Sequence, residues 1–365
     1  MPPLHRAEVV GSFLRPPDLL KARAAHAAGQ LKIEELRTAE DRAILSVFDG
    51  QRKAGMPLFT DGELRRGSWL TDMAEAVEGF VKDKVILDWK GPGGGFEASS
   101  AQAVGAKLKK TRKLTAHELP FLKKSAPGPF KITVPAPSNF MVSSYKRGVS
   151  SKFYPTHAEL LHDLVEIVRD EIKWLVAEGT TYIQLDAPFY SHYVDSIQRG
   201  RLQRDGLNPD EEFKKSVAGD NSLLKDIPRS TVAVSVHICR GNSRSRWYTE
   251  GSYDAIAEKL FTLLDVDNFL LEYDTERAGG FEPLRFVPRS KRVVLGLVTT
   301  KTPKLESQDD LRRRIDQAAR FVPLENLAIS TQCGFAAVAA GNLLTIDEQW
   351  RKLELVATTA RKVWG

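Results

Sequence analysis

Cysteine is scarce in this sequence, which has only two among its 365 residues. Two cysteines are too few for a disulfide framework, and a reducing compartment would leave their thiols free for metal binding or chemistry. The chain also lacks an apolar run long enough to cross a membrane, and no apolar signal core follows Met1–Arg6. These absences predict a cytoplasmic protein without a membrane partner.

Signatures of several other protein classes are missing as well. No apolar run is followed by a Gly-x-Gly-x-x-Gly turn, so the fingerprint of dinucleotide binding is absent. The net charge is only +6, which suits an anionic small substrate. The main basic cluster, at 107–124, has little aromatic interleaving and carries no nucleic-acid motif. We therefore expect a small-molecule partner and no nucleic acid, and a homo-oligomer is compatible with the sequence.

Short apolar runs alternate with helical patterns along the chain. Buried strands that alternate with helices are typical of a parallel sheet with helical crossovers, and eight of them favour a closed barrel. We predict an α/β fold, a single (β/α)8 TIM barrel over residues 1–365. The eight runs are Glu8–Ser12, Pro57–Glu63, Phe130–Pro135, Thr181–Asp186, Ser230–Cys239, Asn268–Glu272, Arg292–Val298 and Asn326–Ser330.

The alternation is interrupted between the second and third runs, where we predict an insertion at about residues 81–129. Ser68–Phe80 has a helical pattern, and Lys84–Phe96 is typical of a hairpin or flap. The basic stretch from there to Pro129 shows no clear periodicity, so we expect it to be irregular. Its function stays open, because a lid over a cleft and a surface hairpin fit equally well.

Chemistry-bearing side chains gather at the predicted strand ends, where a barrel enzyme has its active site. His237 and Cys239 face the same way at the end of one strand, because side chains two residues apart share a face. Imidazole and thiolate are preferred ligands of zinc, so the pair predicts half of a tetrahedral site. Cys333 ends another run, and Glu272 is the best placed carboxylate. His192 lies beyond its strand end, and we expect it to be buried and unliganded.

These motifs together resemble the catalytic barrel of cobalamin-independent methionine synthase, and more closely the short, single-barrel bacterial members of that superfamily. The resemblance covers essentially the full length. The motifs that carry it are Val10–Pro16, Tyr182–Asp186, His237–Asn242, Phe269–Gly279, Val294–Val298 and Gln332–Phe335.

The resemblance implies zinc as the cofactor, held by His237, Cys239, Glu272 and Cys333. It also implies an amino-acid thiol, homocysteine, bound by Ser12, Glu63 and Asp186. The implied enzyme is an S-methyltransferase that activates this thiol as a zinc thiolate and transfers a methyl group to it, which forms methionine. No catalytic residue is assigned beyond the metal site.

The chain departs from the family where the methyl donor should bind. The amino-terminal barrel of the full-length synthase is missing, Pro135–Asn139 replaces a segment with a pterin-stacking tryptophan, and Thr300–Thr302 replaces one with a histidine. The metal and thiol residues are kept. The donor therefore stays open between a methylfolate, a methylcobamide and another alkyl compound.

Three alternative functions remain from the sequence. An epoxyalkane:coenzyme M transferase would use the same zinc-thiolate chemistry, although Glu63 and Asp186 suit an ammonium group that coenzyme M lacks. A non-catalytic metal-binding barrel is less favoured, because structural zinc ligands are usually closely spaced in sequence. A barrel of the uroporphyrinogen decarboxylase type needs no Cys–His metal set.

Overall fold

The structure is a computed structural model that describes residue 2 and residues 4–365. Its strands are β1 (Ala7–Glu8), β2 (Val77–Trp89), β3 (Gly95–Lys110), β4 (Ile132–Pro135), β5 (Tyr182–Asp186), β6 (Ala233–Ile238), β7 (Asn268–Glu272), β8 (Arg292–Val298) and β9 (Leu327–Thr331). The α-helices are α1 (Pro17–Ala27), α2 (Ile33–Lys53), α3 (Thr71–Ala76), α4 (Leu119–Ser125), α5 (Ser138–Ser143), α6 (His157–Ala177), α7 (Ser196–Arg204), α8 (Pro209–Ser222), α9 (Ala257–Leu263), α10 (Gln308–Ala318) and α11 (Ile346–Trp364).

The described part of the chain contains a seven-stranded parallel sheet with the neighbour order β1-β9-β8-β7-β6-β5-β4. The strands are almost entirely buried, as expected of a sheet covered on one side by helices and closed on itself. The predicted α/β barrel class is thereby confirmed. All carboxyl ends of these strands lie at the same end of the barrel.

The second predicted strand is reduced to a single parallel bridge between Phe59 and Phe130. Its neighbour on the other side is the chain after β1, since the Thr60 hydroxyl donates to the Gly11 carbonyl at 2.8 Å. Residues 57–63 thus fill the gap between β1 and β4. The extended conformation ends at Gly62 and Glu63, which have positive φ angles of 72° and 54°.

Helix α6 illustrates how the sequence pattern determines the helical layer. The Thr156 hydroxyl accepts a hydrogen bond from the Glu159 amide and caps the first turn. Apolar residues at helical spacing are buried against the sheet, and Gly179, with a φ of 84°, ends the helix. The apolar spacing of the sequence and the glycine after it predict a helix over His157–Glu178, which agrees with the structure within one residue. By contrast, α7 and α8 between β5 and β6 were not predicted.

The insertion is an antiparallel ribbon of β2 and β3 that is longer than the predicted Lys84–Phe96 hairpin. Of the helix predicted over Ser68–Phe80, only Thr71–Ala76 is helical, and β2 begins at Val77. The basic stretch predicted to be irregular instead forms β3 as far as Lys110, and then α4. The base of the ribbon packs on the barrel, where the Val104 amide donates to the Ser144 carbonyl at 2.8 Å. This contact depends on residues distant in sequence, so no local pattern indicates it.

None of the helices in the described residues combines the length and the apolar character that a membrane span requires.

Candidate active site

Three of the four predicted metal ligands converge at the barrel mouth. His237 lies on β6, and Cys239 and Cys333 follow β6 and β9. Their ligand atoms all lie within 4.8 Å of one another, and all three residues are buried. Since β7 and β8 separate β6 from β9 in the sheet, the side chains meet across the mouth rather than along one edge.

The chemistry of this cluster suits a cation. Neither ring nitrogen of His237 has a hydrogen-bond partner, although both are buried. Unpaired buried polar atoms are costly, so this ring is poised for a ligand. The hydrogen bond with Cys333, together with His237, holds the pKa of the Cys239 thiol well below its usual range. The pKa of Cys333 is raised in turn, because its thiol is hydrogen-bonded to Cys239 and burial disfavours a second negative charge there.

Glu272, the fourth predicted ligand, is not part of the cluster. It ends β7 as predicted and is fully buried, but its carboxylate is occupied. One oxygen, Oε1, accepts from Arg277 Nε at 2.8 Å, and the other, Oε2, accepts from the Arg240 amide at 3.0 Å. Each carboxylate oxygen has a second lone pair, so these bonds leave capacity for a cation.

The three residues predicted to bind the substrate lie around the same mouth. Ser12 contacts the chain after β9, where the Phe335 amide donates to its carbonyl at 2.8 Å. Glu63 accepts from the Thr133 hydroxyl at 3.2 Å through Oε1, while its Oε2 is buried without a partner. Asp186 ends β5 and is paired in register with His237.

The carboxyl groups of Glu63 and Asp186 interact electrostatically with each other. Burial, followed by the nearby Glu63 carboxylate, raises the pKa of Asp186 to about 7. A cationic group placed between Asp186 and Glu63 would relieve this repulsion and stabilise both charged forms. Glycine makes this arrangement possible, since a Cβ on Gly11 would lie 2.5 Å from Glu63 Oε1.

Sequence reasoning missed the residues that support these carboxylates from inside the barrel. Gln184 donates through Nε2 to Asp186 Oδ1 at 2.7 Å, and its Oε1 accepts from Lys131 Nζ at 2.7 Å. Lys131 also forms a buried ion pair with Glu8 at 3.1 Å. A signal was available in β5, where Tyr182, Gln184 and Asp186 alternate with apolar residues.

The ribbon covers one side of the mouth. Lys90, near its tip, exchanges two backbone hydrogen bonds with Trp247 in the loop after β6, at 2.7 and 3.1 Å. Trp89 packs edge-on against Tyr248 with ring centroids 5.4 Å apart. Of the two functions left open for the insertion, the contacts therefore favour a cover beside the mouth.

His192 is not among the clustered ligands. Its Nε2 lies 3.3 Å from the Tyr248 hydroxyl, and the two rings meet edge to face. Burial lowers the pKa of His192 to about 3, so its ring is neutral. It acts as a packing residue beside Tyr248.

A second group of potential ligands consists of Asp72, His117 and Glu118. Arg66 already occupies its centre, because its guanidinium contacts Asp72 at 2.6 Å and Glu118 at 2.6 Å. The charges of these carboxylates are therefore balanced by an arginine, and the group is an ion-pair network.

Comparison with known proteins agrees with this geometry. The family described as "Cobalamin-independent synthase, Catalytic domain" matches residues 6–345. The Bacillus subtilis protein YxjH is 36% identical over 371 residues, which cover 98% of this chain and 94% of YxjH. The methionine synthase of Saccharolobus solfataricus is 26% identical over 338 residues, or 91% of this chain and 88% of that protein.

A solved structure extends the likeness to the fold. The putative vitamin-B12 independent methionine synthase from Listeria monocytogenes superposes with a TM-score of 0.75 at 26% identity, covering 100% of this chain and 98% of that one. The resemblance drawn from the strand-end motifs is thereby confirmed, and with it the predicted enzyme class, a methyltransferase. The chain belongs to the family of cobalamin-independent synthase catalytic domains.

Proposed function

We propose that this protein is a zinc-dependent S-methyltransferase that methylates homocysteine and forms methionine. The observation that carries the proposal is that His237, Cys239 and Cys333 converge in one barrel mouth. The same mouth contains the side-chain carboxylates of Glu63 and Asp186, which are proposed to bind the substrate. One half of this constellation suits a soft metal and a thiol, and the other half suits an ammonium group. An amino acid with a thiol side chain matches both.

The residues present fit zinc. Two sulfur ligands and one imidazole with unpaired nitrogens form a donor set that zinc prefers. Glu272 is the fourth protein ligand in this proposal, through the lone pairs left free by Arg277 and Arg240. Zinc bound there would lower the pKa of a substrate thiol and so keep its sulfur nucleophilic at neutral pH.

Protein side chains then orient the amino-acid end of the substrate. Glu63 Oε2 is buried without a partner. Burial and the nearby Glu63 carboxylate raise the pKa of Asp186. Both side chains can therefore accept hydrogen bonds from an ammonium group. The Ser12 hydroxyl suits the substrate carboxylate. Gln184 fixes the Asp186 carboxylate from below, which limits the directions from which the ammonium can bind.

The same carboxylates argue against coenzyme M as the acceptor. Its sulfonate would lie near Glu63 and Asp186, where like charges repel, and it has no ammonium group to neutralise them. Homocysteine should therefore bind more tightly than coenzyme M. The methyl donor in this proposal is a methylfolate or a methylcobamide.

The proposal is tested by measuring methionine formation from homocysteine with a panel of methyl donors that includes both classes. Zinc content and the zinc X-ray absorption spectrum should be recorded with homocysteine and with coenzyme M. We expect about one zinc per chain and a sulfur ligand added by homocysteine alone. If the protein binds zinc stoichiometrically but forms no methionine with any donor, the proposed methylation of homocysteine is refuted. If homocysteine leaves the zinc ligand shell unchanged, the proposed role of the metal is refuted.

A further inference from the structure

A polar network lies directly behind the clustered ligands, with Asn242 at its centre. Asn242 follows Cys239 by three residues and is buried. Its Nδ2 donates to the Gly334 carbonyl at 2.6 Å, and its Oδ1 accepts from Lys301 Nζ and from Asn342 Nδ2, both at 2.9 Å. One side chain thus connects the loops after β6, β8 and β9.

The Gly334 peptide is held from several sides. Its carbonyl accepts from Asn242 and lies 3.0 Å from the Thr300 hydroxyl. On its other side a Cβ on Gly334 would lie only 2.0 Å from Ser12 Oγ, so the chain packs tightly against Ser12. Because Gly334 directly follows Cys333, this peptide links a predicted metal ligand to a predicted substrate residue.

Lys301 anchors the network. Its ammonium donates to the Gly241 carbonyl at 2.9 Å, to Asn242 Oδ1 at 2.9 Å and to the Arg246 carbonyl at 3.1 Å. These three acceptors use all three protons, so Lys301 is fully engaged in holding the loop. A buried ammonium is stable only with such partners.

Asn342 completes the anchoring. Its Nδ2 also donates to the Thr300 carbonyl at 2.8 Å, and its Oδ1 accepts from the Ser245 amide at 2.9 Å. Arg244 and Ser245 both have positive φ angles, 51° and 63°, which non-glycine residues rarely adopt. The network therefore holds the loop after β6 in a conformation that it would not keep alone.

We propose that Asn242 is a positioning residue that sets the separation between Cys239 and Cys333 for metal binding. It acts through the Gly334 carbonyl, with Lys301 and Asn342 as its anchors. The inference rests on the proposed zinc-dependent function. Its physical basis is geometric. Cys239 and Cys333 lie on separate loops, and the bond from Asn242 to the Gly334 carbonyl joins these loops next to both cysteines, so it fixes the spacing of the two sulfurs before a metal binds.

The test is the zinc affinity of the full-length protein, measured by competition with a chromophoric chelator. Asn242→Ala should weaken zinc binding roughly 10- to 100-fold, as loss of a supporting hydrogen bond behind a ligand does. The cobalt-substituted protein should also show altered ligand-field and thiolate charge-transfer bands, which a general loss of stability would not produce. Asn221→Ala is the matched control, since Asn221 likewise bonds two loop groups, Leu263 and Asp265, on the outside of the barrel.

Thr300→Val is the second variant in case Asn242→Ala does not fold. It keeps the side-chain shape and removes a hydroxyl that lies 3.0 Å from the Gly334 carbonyl and 2.9 Å from Gln332 Oε1. Both partners flank Cys333, so we expect weaker zinc binding and the same direction of spectral change. The inference is overturned if the variants that fold bind zinc with wild-type affinity and show an unchanged cobalt spectrum. It is also overturned if Asn221→Ala weakens zinc binding to the same extent. Absence of zinc binding by the wild type would refute the proposed function itself.

Discussion

The buried ion pair between Lys131 and Glu8 inside the barrel allows a quantitative prediction. Both side chains are fully buried, and their charged atoms lie 3.1 Å apart. Lys131→Met removes the cation and leaves Glu8 with only the Tyr182 hydroxyl, at 2.8 and 3.0 Å. Breaking one side of a buried pair costs about 3–5 kcal/mol, so we expect this loss in the free energy of unfolding.

The expected loss follows from desolvation more than from attraction. At an effective dielectric constant of about 20, charges at this distance attract by about 5 kcal/mol, and burying both ions offsets much of that. The double variant Lys131→Met/Glu8→Gln should therefore recover most of the lost stability, because no charge is left unpaired. Urea denaturation followed by circular dichroism measures each variant and the double-mutant coupling energy.

Lys131→Met should also affect substrate binding in the candidate active site. Without Lys131, Gln184 Oε1 loses its donor, and the amide is held only through Nε2 by the Val10 carbonyl and Asp186, so its bond to Asp186 is less firmly fixed. We expect a raised KM for homocysteine in Lys131→Met, with zinc content unchanged. If the free energy of unfolding of Lys131→Met lies within about 1 kcal/mol of the wild-type value, the substitution does not leave an unpaired charge at Glu8, and the reasoning is refuted.

Three further predictions concern single residues. Cys333→Ser should lose stoichiometric zinc while keeping its far-ultraviolet spectrum, and full zinc content by atomic emission would contradict its role as a ligand. Gly334→Ala should raise the KM for homocysteine with zinc retained, because the added Cβ would lie 2.0 Å from Ser12 Oγ and 3.0 Å from the Ser12 amide nitrogen; an unchanged KM would argue against Ser12 as a substrate ligand. Burial raises the pKa of Asp220 to about 6, so the folded state binds more protons than the unfolded state between about pH 4 and 6. This group should lower the stability by about 3 kcal/mol across this range as the pH rises, and Asp220→Asn should remove that contribution from the slope measured in urea titrations.

The fold was predictable because most strands are both short and fully buried. Runs such as Tyr182–Asp186 and Asn268–Glu272 are apolar and lie between helical patterns, so their strand character is visible locally. The second run takes the predicted place in the barrel but pairs only through a parallel bridge at Phe59, and its extended conformation ends at Gly62 and Glu63. Its place in the barrel depends on a side-chain bond from Thr60 to the chain after β1, which no periodicity encodes.

The site was predictable to the extent that strand ends determine it. His237 and Cys333 occupy the places that a parallel barrel assigns to catalytic groups, and the structure brings them together. The sequence could not predict that Arg277 holds the Glu272 carboxylate outside the cluster, because a strand end fixes a Cα position and leaves the side chain's partners open. Asn242 was likewise beyond prediction, since its partners come from two other loops that are distant in sequence.

The exchange of backbone hydrogen bonds between Lys90 and Trp247 makes the ribbon tip and the loop after β6 a single opening unit. An ion pair between Lys90 and Glu250, at 2.9 Å, adds to this connection. Separation of the ribbon tip from this loop breaks both bonds, so opening of the unit would expose the amides of Lys90 and Trp247 to deuterium exchange in the same event. A bulky alkyl donor that enters on this side could bind only after this opening. The opening rate would then set an upper limit on turnover.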